Sequence, residues 1–357
     1  MPRKSSLLIA TCLVAGAVAT SGLTAPKGAY HAPRLSFGQP DLGDYWSNAS
    51  LTKETRSAAL GDRLVYTPAE VKKIESGAAE EFVEGDKPTD PNAPPPKKGG
   101  EIDKTVRPEF AAAGGNVGGY NIGWLDPGNL VMRVHGEPRT SILTTANGEV
   151  PKTKAGLAQP TAFRRGRGGA GGLGSFDNPE NRSLGERCII GFGRNGGPPM
   201  LANGFYNNNY HFVQTPTKIA IETEMVHDTR LISLTRKTHL PSNIRPWFGD
   251  SIGHWEGDTL VVETTNIPKA QAYHGSWKNL TVTERFTRTA PDRMLYQFTI
   301  HDPSLWDADW GGEYEFHPLK GRVEEYACHE GNYALEGMLS GARQAERDAK
   351  IKSASAK

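Results

Sequence analysis

The sequence predicts a mainly-β protein, an antiparallel meander that closes into a barrel or folds into a sandwich. Three observations carry this. Hydrophobic residues make up only 37% of the chain, while Gly (41) and Pro (25) are abundant, which favours short strands and turns over a helical bundle. From Tyr206 onward, apolar and polar residues alternate in runs of strand length. These runs are separated by tight-turn residues at Thr215-Pro216, His227-Asp228, Glu256-Gly257-Asp258, Ala290-Pro291-Asp292 and Lys320-Gly321. Consecutive strands joined by short turns pair as antiparallel neighbours.

The ends frame this β region. Residues 1–19 read as a secretory signal: Arg3 and Lys4 precede an apolar run from Leu7 to Val18, and Ala17-Val18-Ala19 supplies small residues for cleavage. Residues 20–100 form a loop-rich segment with one helix and a Pro-rich linker. The helix starts at "TPAE", with Thr67 as cap, Pro68 at the first helical position and Glu70 in the capping-box place, and runs to about Phe82. Residues 101–331 form the mainly-β domain, with a Gly-rich loop at 164–174. Residues 332–357 form a C-terminal helix and tail, with Asn332 as N-cap and Tyr333 as its first residue.

These features place the chain in the periplasm or outside the cell. Cleavage removes Cys12 and leaves Cys188 and Cys328, which in an oxidising compartment suggest one disulfide. A free buried thiol and a nucleophilic cysteine are the rival readings. A formal charge of +1 gives no electrostatic case for nucleic acid. No segment beyond the signal is apolar enough to anchor the chain in a membrane. Oligomeric state is left open.

Several long motifs carry a resemblance. "YNNNYHFVQTP", "HLPSNIRPWFGDSIGHWEGDTLVVETTNI" and "EYACHEGNYALEGMLSGAR" resemble a family of mostly uncharacterised exported bacterial proteins. The match is dense from Asn207 to Arg343. It implies export and carries over no activity or catalytic residue. The family's early element has Gly-x-Trp, which is also how lipocalin-like barrels begin. Here the element reads Asp44-Tyr45-Trp46, with the glycine displaced to Gly43. The fold expectation is thus a lipocalin-like barrel or a sandwich.

Pleat alternation picks candidate site residues. In "KIAIETEMVHD" the inward row is Ile219, Ile221, Thr223, Met225 and His227, with Glu222 and Glu224 turned to water. In "LTVTERF" Glu284 shares the apolar face with Leu280, Val282 and Phe286. A buried carboxylate must be paired or protonated, so Glu284 is either an acid–base group or half of a structural ion pair with an arginine such as Arg245 or Arg322. His254 and Glu256 share a face beside a turn and could act together, or simply be polar turn residues. His329 has small and apolar company. His227, Glu284, His254 and His329 are therefore the candidate catalytic groups. Tyr206, Asn208 and Tyr210 in "FYNNNYHF" offer neutral hydrogen-bonding groups to a ligand. Trp255, Glu256 and His301 complete the candidate binding set. The histidines match no compact zinc motif, and no nucleotide-binding or serine-hydrolase signature is present. No cofactor is predicted, and a divalent metal stays open. The leading expectation is an exported, cofactor-independent acid–base enzyme (lyase, isomerase or hydrolase) acting on a small organic molecule in a β-barrel pocket. The alternatives are a periplasmic small-molecule-binding protein without catalysis and a structural envelope protein.

Overall fold

A computed structural model describes residues 30–85, 126–154, 176–191 and 193–355. The expected signal segment, most of the Pro-rich linker and the Gly-rich loop at 164–174 lie outside the described residues. The compact unit carrying the fold runs from His31 to Lys357.

Nine strands close into a barrel, which settles barrel against sandwich. They are β1 (Tyr45–Ser47), β4 (Asn209–Gln214), β5 (Lys218–Thr223), β6 (Thr229–Ser233), β7 (Asp250–Glu256), β8 (Thr259–Thr265), β9 (Thr281–Ala290), β10 (Arg293–His301) and β11 (Trp310–Pro318). Two of the expected hairpin turns sit where the sequence put them. Glu256 pairs with Thr259 around Gly257-Asp258, and Ala290 pairs with Arg293 around Pro291-Asp292. A two-rung hairpin of β2 (Arg133–Val134) and β3 (Glu137–Pro138) forms a separate small sheet.

The meander is broken once. Strands β6 and β7 pair in parallel, through Ile232 with Ser251 and Ser233 with Ile252. A parallel pair needs a connection of a dozen or more residues, which residues 234–249 provide; "HLPSNIRPW" within it carries two prolines and no strand. The expected third hairpin does not form either. Beyond β11 no strand returns through Lys320-Gly321, because the free edge of β11 is already taken. Strand β1 pairs there, Trp46 with Pro318 and Ser47 with His317, and on its other side pairs with β4 to close the barrel. Trp46 is buried, and its Nε1 donates to the Leu42 carbonyl at 2.9 Å. Gly43 has φ +81°, and a Cβ there would stand 3.0 Å from the Trp46 ring, so the displaced glycine is what lets the chain bend over the indole.

The barrel is filled. Tyr210, Phe212, Ile219, Ile221, Ile232, Leu260, Val262, Phe286, Met294, Tyr296 and Phe316 all point inward and belong to one buried cluster. Rings meet edge-on, with Phe212 5.8 Å from Phe286 and 6.0 Å from Phe316. The interior is therefore a packed core.

Two α-helices lie among the described residues. Helix α1 (Pro68–Gly85) starts with the expected capping box: Thr67 N donates to Glu70 Oε2 at 2.8 Å, and Glu70 N donates to Thr67 Oγ1 at 3.3 Å. Helix α2 (Ala334–Ser355) starts one residue later than expected, and Ala334 N donates to Asn332 Oδ1 at 3.3 Å. The expected disulfide joins Cys188 to Cys328, a separation of 140 residues, and tethers the irregular segment after β11. Closing so long a loop restrains the unfolded chain by about 5 kcal/mol in the chain-entropy description. Replacing both cysteines by serine should lower unfolding stability by about 2–5 kcal/mol. In denaturant melts, a reductant should shift the native chain toward the double variant and leave the double variant unchanged.

Candidate functional site

Glu284 sits on β9 with no solvent exposure, facing inward as its alternation indicated. Its partner is Arg230 on β6, not Arg245 or Arg322. Arg230 Nη1 donates to Oε2 at 2.7 Å and Nη2 to Oε1 at 3.0 Å, a bidentate pair. Arg245 instead donates to the carbonyls of Ile267, Trp277 and Lys278, and Arg322 is exposed. Tyr296 Oη also donates to Glu284 Oε1, at 2.8 Å. From there a line of hydrogen bonds crosses the barrel end. Met200 N donates to Tyr296 Oη at 2.9 Å, Tyr314 Oη donates to the Met200 carbonyl at 2.9 Å, and Asn48 Nδ2 donates to the Oη atoms of Tyr314 (3.0 Å) and Tyr210 (3.1 Å). Burial pushes all three phenols up from their ordinary value, so they stay protonated.

Above this line lies a cavity of about 250 Å³ at the barrel mouth. Met132, Ile142, Leu201 and Phe205 give it apolar walls, and Asn48, Glu54, Asn203 and Tyr314 give it polar groups. Glu54 Oε1 accepts from Tyr273 Oη at 2.8 Å and lies 2.8 Å from His274 Nε2. The two partners come from the tight turn "YHGS", in which Tyr273 and Ser276 exchange backbone hydrogen bonds. His274 and Gly275 have φ of +47° and +86°, as a type I′ turn requires. Arg194 lies over the Tyr273 ring, 4.8 Å from its centroid, and burial brings its own pKa down to about 10. Burial alone raises the Glu54 carboxyl. The hydrogen bonds from His274 and Tyr273, with the charges of His274 and Arg194, outweigh it and hold the group below its ordinary value.

The residues picked from the sequence mostly lie elsewhere. His227 does not continue the inward row, since β5 ends at Thr223 and the chain turns through a short 3-10 segment that leaves His227 exposed. Glu224, expected in water, is buried against Asn209 and the Glu324 amide. His254 and Glu256 do share a face, but it is the outer one: both are exposed, 3.2 Å apart, with Arg285 2.8 Å from Glu256. His329 is exposed on an irregular segment, and His301 is exposed and bonded to Asp309 at 2.7 Å. Trp255 faces inward on β7, half-buried against the core. Tyr206 stacks on Tyr326 with centroids 6.2 Å apart. Asn208 is buried, accepting from Asn195 Nδ2 and the Asn203 amide at 3.0 and 2.9 Å, and so clasps the loop that forms one cavity wall. Tyr210 meets the site only through Asn48. None of these ten candidates lines the cavity. Among the described residues no group of three His, Cys, Asp or Glu side chains could hold a metal ion, and no helix is long and apolar enough to cross a membrane.

The polar residues of the cavity wall, Asn48, Glu54 and Tyr314, and the Tyr273 and His274 partners of Glu54, lie outside the sequence-based candidate set. "YHGS" carried a turn signal, and Tyr314 falls on the inward row Trp310, Gly312, Tyr314, Phe316 of β11. Asn48 and Glu54 lie in irregular chain, where alternation says nothing.

No family model and no curated protein matches the chain. Among solved structures, a crystal structure of a mutant of the fluorescent protein UnaG aligns over 38% of this chain and 86% of that one, at 14% identity and a TM-score of 0.22. A superposition that loose leaves the fold to rest on the strand pairing described above.

A second, much smaller cleft of about 10 Å³ lies between Asp228, Gln271 and Arg194. Burial pushes the Asp228 carboxyl up from 3.8 to about 7. An acid whose folded pKa exceeds its unfolded one is favoured when protonated, so this contribution to stability is present at low pH and lost as pH rises from about 4 to about 7. Asp228→Asn should therefore be more stable than the native chain at pH 8 and match it below pH 4, measured by denaturant unfolding. The Arg230–Glu284 pair gives a second prediction. Glu284→Leu should cost about 3–5 kcal/mol by stranding Arg230, and Arg230→Met with Glu284→Leu should cost less than either single change.

Proposed function

We propose that this protein binds a small organic molecule in the cavity at the barrel mouth and acts without catalysis. The observation that carries the reading is the cavity itself, an apolar-walled space with a few convergent polar groups over a barrel that is otherwise filled. Its volume falls just below the usual range for drug-sized ligands, about 300–1,000 Å³, so the ligand is compact.

The acid–base reading is the weaker one on the same geometry. Both carboxylates near the site are poor general bases. Glu284 has both oxygens committed to Arg230 and one also to Tyr296. Glu54 is held below its ordinary value, away from the neutral range where proton abstraction is efficient. A carboxylate kept ionised is suited to holding a donor in place.

We also propose that the chain is exported and belongs to the family it resembles. The signal-like start and the Cys188–Cys328 disulfide support an oxidising compartment. Protein purified without denaturation from its source should carry a small molecule at about one per chain, read by native mass spectrometry. Ala202→Phe, which places a ring in the cavity from a half-buried wall position, should remove that adduct while keeping the fold by circular dichroism. An adduct that survives Ala202→Phe would place binding elsewhere.

A further inference from the structure

From one buried acceptor without a donor, Asn48 Oδ1, and a carboxylate at the cavity wall, Glu54, we infer that the cavity selects a small primary amine with a compact apolar or aromatic body. This rests on the binding reading above and names the ligand's chemistry.

The first acceptor is Asn48 Oδ1. Asn48 is 2% exposed and borders the cavity, and its Oδ1 is buried with no hydrogen-bond partner. The amide orientation is not arbitrary. Tyr314 Oη gives its proton to the Met200 carbonyl, so toward Asn48 it can only accept. Asn48 must therefore present its NH2 group to Tyr314, and both of its protons go to the two phenol oxygens. What remains is an acceptor that a buried site cannot leave unmet without loss, typically about 1–3 kcal/mol.

The second acceptor is Glu54 Oε2. Tyr273 and His274 both bind Oε1, and no hydrogen bond among the described residues reaches Oε2. The Glu54 side chain is 30% exposed, at the cavity wall. Its backbone carbonyl is already used by Leu143 N. A ligand that brings an ammonium supplies donors for Glu54 and Asn48 together and meets a carboxylate held in its charged form. Met132, Ile142, Leu201 and Phe205 then cover the body of the molecule. Lys53 also borders the cavity, but it is exposed, and solvent weakens its pull on an anion; His274 and Arg194, whose charges also act on Glu54, do not line the cavity.

A charge-reversed pair of probes separates these effects. Tyramine and 3-(4-hydroxyphenyl)propanoate share the same aryl group and two-carbon arm and differ in ending as ammonium or carboxylate. Titration calorimetry on the mature chain should show tyramine binding about tenfold tighter or more. Glu54→Gln, checked for an unchanged fold, should abolish that preference, and Lys53→Gln should leave it in place. Equal or tighter binding of the carboxylate overturns the amine inference while the cavity reading stands. Binding of neither probe counts against both. A preference that persists in Glu54→Gln removes Glu54 from the role, and if that variant does not fold, the comparison on the native chain decides the ligand class alone.

Discussion

The bidentate Arg230–Glu284 contact sets the terms for the rest of the molecule. It joins β6 to β9 through the middle of a closed barrel, where neither charge meets water. Such a pair gains little net stability over apolar side chains of the same size. What it does is fix positions. Glu284 holds Tyr296, Tyr296 holds the Met200 amide, and Tyr314 takes the Met200 carbonyl. Met200, fully buried and with its sulfur 3.6 Å from Arg230 Nη2, is thereby seated as the stopper of the barrel.

The stopper explains why the cavity lies where it does. With Met200 pinned inward, the chain that follows from Leu201 to Phe205 runs across the barrel end and becomes a wall of the space above it. Asn48 and Tyr314 belong at once to the hydrogen-bond line below and to the cavity above. One polar network thus closes the interior and furnishes the mouth, and a ligand would meet the same atoms that hold the barrel shut.

The strands were legible because their pattern is local. Alternation and turn residues located β4 to β10, the capping box located α1, and the inward position of Glu284 followed from its neighbours. Arg230 was hidden because its outward neighbour Leu231 is apolar and 60% exposed, which blurs the alternation of β6. The parallel step from β6 to β7 and the pairing of β1 on the β11 edge depend on which distant segment lies at an open edge, and no local pattern records that. The candidate site was the least legible part. Histidines chosen for their chemistry fell on outer faces or irregular chain, whereas the cavity draws on residues near positions 48, 54, 201 and 314, brought together only by barrel closure. The two cysteines were the exception among long-range contacts, because only one pairing remained once Cys12 was set aside.

The barrel is full, and the accessible space is at its mouth. Methionine methyl groups report on both places: Met132 lines the cavity, and Met294 is fully buried in the barrel interior. Xenon enters apolar voids without needing hydrogen bonds and so tests the space independently of any ligand chemistry. In a methyl spectrum of the methionine-labelled protein under xenon pressure, the Met132 signal should move and the Met294 signal should not. A shift at Met294, or no shift at either methyl, would contradict this arrangement.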